Sequence, residues 1–179
     1  MEEFSLLTPS ASEQETINSL MQARFPVTLT SMAQALQMNA LEAARRLPKE
    51  RVGIVDLREP AQFDTFWEAL CEWKKVTLMI LKDQHVFEIE GQLARGKRAQ
   101  GYYNILSHED GIGGHIAFSN IKAAIFTDIP FMGRDSYAVH FINNDNDVSF
   151  SVYAGREKHQ LLVEVVSAWK ETLKRFAQS

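Results

Sequence analysis

His115 and Tyr102 stand in surroundings that could support chemistry. His115 follows Gly111, Gly113 and Gly114 and heads an apolar run at 116–118. The backbone beside it carries little bulk, so a flat ligand could approach closely. Tyr102 begins an apolar run just after RGKRAQG, where Arg95, Lys97 and Arg98 form the densest positive patch of an acidic chain. Two readings stand side by side there. One is a solvated turn next to a packing tyrosine; the other is a set of cations that meet an anion while the phenol touches its body. A phenolate oxygen is one of the ligands that proteins use for heme iron.

The remaining reactive side chains read more simply. His85 alternates with Phe87 and Ile89, and His140 with Ala138 and Ile142, as expected of histidines at the margin of a core. His108 falls in a turn and His159 near the start of the last helix, both solvated positions. The sequence has no HExxH, no CxxC and no GxSxG, and its one cysteine, Cys71, lies in an aromatic segment without a flanking cation. A zinc site, a disulfide and an activated nucleophile are therefore not expected. The tract TLTSMAQALQMNALEAARRLP has helix-turn-helix spacing, but residues 1–50 hold four basic against six acidic side chains, a net of −2. A recognition helix needs cations, so a structural or docking bundle fits better and nucleic acid is not expected as a partner.

These residues must be positioned by a single compact unit, since 179 residues fit about one domain. A net charge of −4 argues against a polyanion binder held by bulk charge. Two acids near the start and no apolar run of about 18–20 residues predict a cytoplasmic protein without membrane insertion. Ser12 and Glu15 have capping-box spacing before an amphipathic run, and two short helical patterns follow up to Pro48. Phe63, Phe66, Trp67 and Leu70 mark another helix. VTLMIL, HVFEIEG, YYNILS, GHIAF, IKAAIFTDI, SYAVHFIN and DVSFSVYAG then read as strands separated by short turns, hence antiparallel. The last 24 residues return to helical period. The expectation is α+β: an N-terminal helical module at 1–57, a hinge at 57–62, and an antiparallel meander packed by a long C-terminal helix at 58–179. The apolar faces at 63–73 and 161–176 exceed what one sheet can cover, which suggests a second copy.

One ordered set of motifs narrows this further: ALEAARRLP (40–48), FDTFWEALCEW (63–73), VTLMI (76–80), GYYNI (101–105), GGHI (113–116), PFMGRDSYAVHFIN (130–143) and VYAGRE (152–157). Together they resemble the cytosolic heme-utilisation carriers of the HutX/ChuX type. The resemblance implies an α+β fold like one half of the duplicated heme-trafficking proteins, a homodimer, and a carrier that accepts imported heme and passes it to a partner such as a heme-degrading protein. It also implies His115 and Tyr102 as candidate axial ligands of the heme iron, with Arg95, Lys97 and Arg98 near the propionates. Some relatives carry another histidine in the strand that here reads VTLMIL. Leu81 stands at or near that place, against a bis-histidine site in one subunit. A heme-degrading enzyme and a heme-responsive DNA-binding regulator are the alternatives.

Overall fold

The computed structural model describes residues 2–107 and 111–177; His108 lies outside them. Three short helices come first: α1 (Ala11–Met21), α2 (Leu29–Ala35) and α3 (Ala40–Arg45). Each starts where a side-chain oxygen supplies an acceptor that the helix lacks: Ser10, Thr28 and Asn39 accept from the backbone N–H of Glu13, Ser31 and Glu42. The capping box expected at Ser12 and Glu15 sits two residues earlier. Ser10 is the residue in extended conformation, and its own N–H donates to Glu13.

The strands are β1 (Val52–Asp56), β2 (Val76–Lys82), β3 (His85–Gly91), β4 (Gly96–Ala99), β5 (Tyr102–Ile105), β6 (Gly114–Ile116), β7 (Ile121–Asp128), β8 (Tyr137–Asn143), β9 (Val148–Ala154), β10 (Arg156–Glu157) and β11 (Gln160–Leu161). Helix α4 (Pro60–Cys71) lies between β1 and β2, and α5 (Val163–Phe176) closes the chain. A six-stranded antiparallel sheet runs β1-β7-β8-β9-β2-β3, and a three-stranded one runs β4-β5-β6. This is the expected α+β arrangement. β1 was not foreseen; VGIVD is too short for its period to reveal a strand, so the first 57 residues supply an edge of the sheet as well as the helices.

The large sheet has a core on each face. One side packs Ile17, Leu29, Met32 and Leu41 of the helices on Ala123, Ile125 and Ile142. The other packs Phe63, Phe66 and Trp67 of α4 and Trp169 of α5 on Phe126, Phe141 and Val152. The indole N–H groups of Trp67 and Trp169 donate to the carbonyls of Ala94 and Ala138, which makes burial of both rings tolerable. The aromatic faces expected to exceed one sheet are thus covered by the chain's own sheet. Leu57 is buried, its N–H donates to the Lys122 carbonyl, and α4 starts three residues later. The stretch expected to be a hinge is a tight strand-to-helix connection. α5 begins only at Val163 because 156–161 form a hairpin turned by Lys158 and His159, both at positive φ.

Candidate functional site

The small sheet gathers the sequence-predicted residues. Gln100 (φ 54) and Gly101 (φ 82) make the two-residue turn between β4 and β5. Lys97 stands opposite Asn104, and Asn104 opposite His115, in one cross-strand row. Tyr102, two residues before Asn104, shares that face. The Tyr102 and His115 rings meet edge to face, centroids 6.2 Å apart. His115 Nδ1 lies 2.7 Å from Asn104 Oδ1, and its Nε2 has no hydrogen-bond partner among the described residues. The GlyGly pair before it is needed for the backbone: Gly114 sits at φ 155, and a Cβ at Gly113 would come 2.5 Å from Ser107 Oγ.

The three expected cations part company. Arg98 belongs to the opposite row with Tyr103 and Ile116, where its Nε donates to Asp64 Oδ1 at 2.9 Å and its guanidinium covers the Phe118 ring. Arg95 precedes β4 and pairs with Glu72, which raises its pKa. Lys97 alone of the three is exposed on the His115 face, without an ion pair among the described residues.

Between the small sheet and the end of the large one lies a cavity of about 310 Å³. Leu78, Ile80 and Phe150 form one wall and Ile105, Ile112 and Ile116 the other; His115 and the two glycines border it, Asn120 and Ser149 add polar groups, and the lining holds no charged residue. Register carries the Leu78–Ile80 wall outward onto Ile89 and Phe87 of β3, which are 43% and 57% exposed. His85 continues the same face, whereas Leu81 falls on the other one. A flat apolar molecule longer than the cavity would find this surface continuous with it.

Other candidates are placed elsewhere. His140 is wholly buried, with Nε2 2.9 Å from Thr127 Oγ1 and Nδ1 2.7 Å from Ser151 Oγ, and burial pushes its pKa down to about 3. No lone pair is left for a metal. Cys71 is buried and its thiol pushed up to about 12, so it stays protonated. Sequence reasoning missed a second cavity of about 540 Å³ on the opposite face of the large sheet, where Met79, Tyr153, Arg134, Arg156 and His159 meet. These come from four separate segments; the motifs VTLMI, PFMGRDSYAVHFIN and VYAGRE contain four of the five, but nothing local in the sequence says that they meet. Among the described residues no three His, Cys, Asp or Glu side chains group as a metal site. A lone imidazole suffices where the metal arrives with its other ligands already in place, as iron does in a porphyrin.

Both walls of the apolar cavity fall inside residues 57–172, which match the family model described as haem utilisation ChuX/HutX. The chain belongs to the haem utilisation ChuX/HutX family. Within the ChuX/HutX family, it is 31% identical over 160 residues to the intracellular heme transport protein HutX of Vibrio cholerae, covering 89% of this chain and 81% of that one. A crystal structure of ChuX superposes with a TM-score of 0.79 at 30% identity, covering 92% of this chain and 98% of ChuX. Apo-PhuS, a heme-binding protein of Pseudomonas aeruginosa, shares the fold at 13% identity with a TM-score of 0.71, and this chain spans 97% of itself but 49% of PhuS. The ChuX/HutX chain thus has the fold of one half of the longer protein. No helix of the described residues is long and apolar enough to cross a membrane.

Proposed function

We propose that this protein is an intracellular heme carrier that takes heme into the apolar cavity beside β6 and hands it to a partner. The observation that carries the reading is a mostly apolar cavity with no charged residue in its lining, bordered by a histidine with one ring nitrogen held and the other without a hydrogen-bond partner among the described residues. In this reading the porphyrin sits at the mouth of the cavity, where His115 at its rim supplies a nitrogen to the iron and Tyr102, on the His115 face, contacts the ring edge. Lys97 reaches a propionate; Arg98 and Arg95, committed to Asp64 and Glu72, contribute less. An open, half-lined site with one ligand suits a cargo that must leave again. The names of HutX and ChuX as transport and binding proteins favour carriage over degradation. The partner would be a protein that consumes heme. In the helix-turn-helix tract, Arg45 and Arg46 pair with Glu42 and Glu13, which argues against a DNA-reading role.

We also propose a homodimer through β3. It is an edge strand with Val86 and Phe87 57% exposed, a combination that invites pairing with another chain. Light scattering should give about twice the chain mass, and Phe87→Glu should return a monomer. A wild-type mass near 20.4 kDa would refute it.

Hemin titration tests the main reading. A Soret band should grow to saturation, survive a reductant and oxygen, and pass to an apo-acceptor; conversion to linear tetrapyrrole would make the protein an enzyme, and no saturable band would end the proposal. The second cavity supports a different seat for the same ligand, because Arg134 and Arg156 stand close enough that one charge lowers the other's pKa, after burial itself. In that case Arg156→Ala and His159→Ala, not Lys97→Ala and His115→Ala, would weaken hemin binding.

A further inference from the structure

Asn104 makes contacts in two directions. Its Nδ2 lies 3.2 Å from the carbonyl oxygens of Lys97 and Ala99 and 3.3 Å from that of Tyr102, and its Oδ1 lies 2.7 Å from His115 Nδ1. Turning the amide over would set an oxygen against three carbonyl oxygens, so the network fixes which end faces the histidine. An acceptor is then presented to Nδ1, and a neutral imidazole can answer it only by carrying its proton there.

We infer that Asn104 is a positioning residue that holds His115 in the Nδ1–H tautomer and so keeps the Nε2 lone pair available for a metal; its link to heme rests on the reading above. Neutral histidine side chains in water prefer the opposite tautomer, with the proton on Nε2, where it would block that nitrogen. The bond also fixes the plane of an exposed ring that meets the Tyr102 ring edge to face. An amide suits the place better than a carboxylate for two reasons. The three carbonyls require a donor, which a carboxylate is not. A neutral acceptor also makes the imidazole a less basic ligand than an anionic one would, which favours release of a cargo. Asn104 thus couples the β4–β5 turn to the histidine on β6. Tyr102 is part of the same device, since its carbonyl is one of the three that hold the amide.

The tautomer can be read in the ligand-free protein by nitrogen NMR of the neutral His115 ring. Wild type should show Nδ1 protonated and Nε2 bare, and Asn104→Ala should shift the population to Nε2–H. The same variant should release hemin about 10-fold faster, within the 10–100-fold range of lost second-shell partners. In a His115→Ala background the Asn104 change should add nothing to the release rate. Nε2–H in the wild-type protein, which needs no variant to fold, would overturn the inference; so would an unchanged tautomer in Asn104→Ala. If His115→Ala leaves the hemin spectrum unaltered, the heme reading fails, while the ligand-free spectrum still decides what Asn104 does.

Discussion

His140 and His115 are both strand residues of one chain, yet their surroundings assign them opposite work. His140 lies in the middle of β8, where Thr127 and Ser151 on the neighbouring strands take both of its nitrogens and burial keeps it neutral. It is a polar link inside a core, satisfied on both sides. His115 lies on β6 of the small sheet, exposed, with one nitrogen held by Asn104 and the other without a hydrogen-bond partner among the described residues. The contrast teaches that a histidine's chemical availability is set by how many of its nitrogens the fold consumes. Type and strand position alone do not set it.

The comparison breaks most sharply at the buried residue. His140→Ala removes a filled volume and leaves two hydroxyls without their partner, so it should cost about 3 kcal/mol of stability in denaturant unfolding. The hemin spectrum of the folded fraction should stay as in wild type. A stable variant with altered hemin binding would reverse the roles assigned here.

Acid sharpens the same contrast. Because the folded-state pKa of His140 is depressed to about 3 from 6.5, the unfolded chain binds a proton that the folded chain refuses between those values. Stability should therefore fall as pH drops from about 6.5 towards 3, by at most about 1.4 kcal/mol per unit from this group. His140→Gln should flatten the slope relative to wild type. Carboxylates held low by arginines, such as Glu42 and Asp56, add acid sensitivity to both proteins equally, so the difference between the two curves isolates the histidine. A difference curve flat across that range would contradict the assignment.

The smallest effects separate the cations. Lys97→Ala should weaken hemin binding by about 1 kcal/mol, roughly fivefold, with an unchanged spectrum and a dependence on salt. Arg98→Ala should instead cost about 1 kcal/mol of folding stability, from the Asp64 pair and the Phe118 contact, with little effect on hemin. The reverse pattern would move the propionates to the other side of β4.

Much of the architecture was legible because β2, β3 and β5 to β9 are short runs of β-branched and aromatic residues between turn formers, and α4 carries aromatic residues at three- and four-residue spacing. β4 was not. RGKRAQ is charged and reads as a turn, and it becomes a strand only because β5 offers it a partner. β10 and β11 are two residues each, below any periodic signal. Tyr102 and His115 were singled out from glycines, cations and the family resemblance, and the structure sets the two rings side by side. Which cation shares their face depended on register, and that assigned Lys97 in place of the triplet. Asn104 carried one faint signal: it is two residues from Tyr102 in an alternating run. The cavity needed walls from two sheets whose closeness no local pattern encodes.

In the proposed carrier, His115 gives its Nε2 to heme iron. Hemin-loaded wild type, His115→Ala and His140→Gln should be compared by absorption spectrum and by release rate to an excess of apo-myoglobin. His115→Ala alone should show a displaced Soret band and release faster by at least 10-fold, with His140→Gln indistinguishable from wild type. An unchanged spectrum and release rate in His115→Ala, in protein shown to be folded, would contradict it.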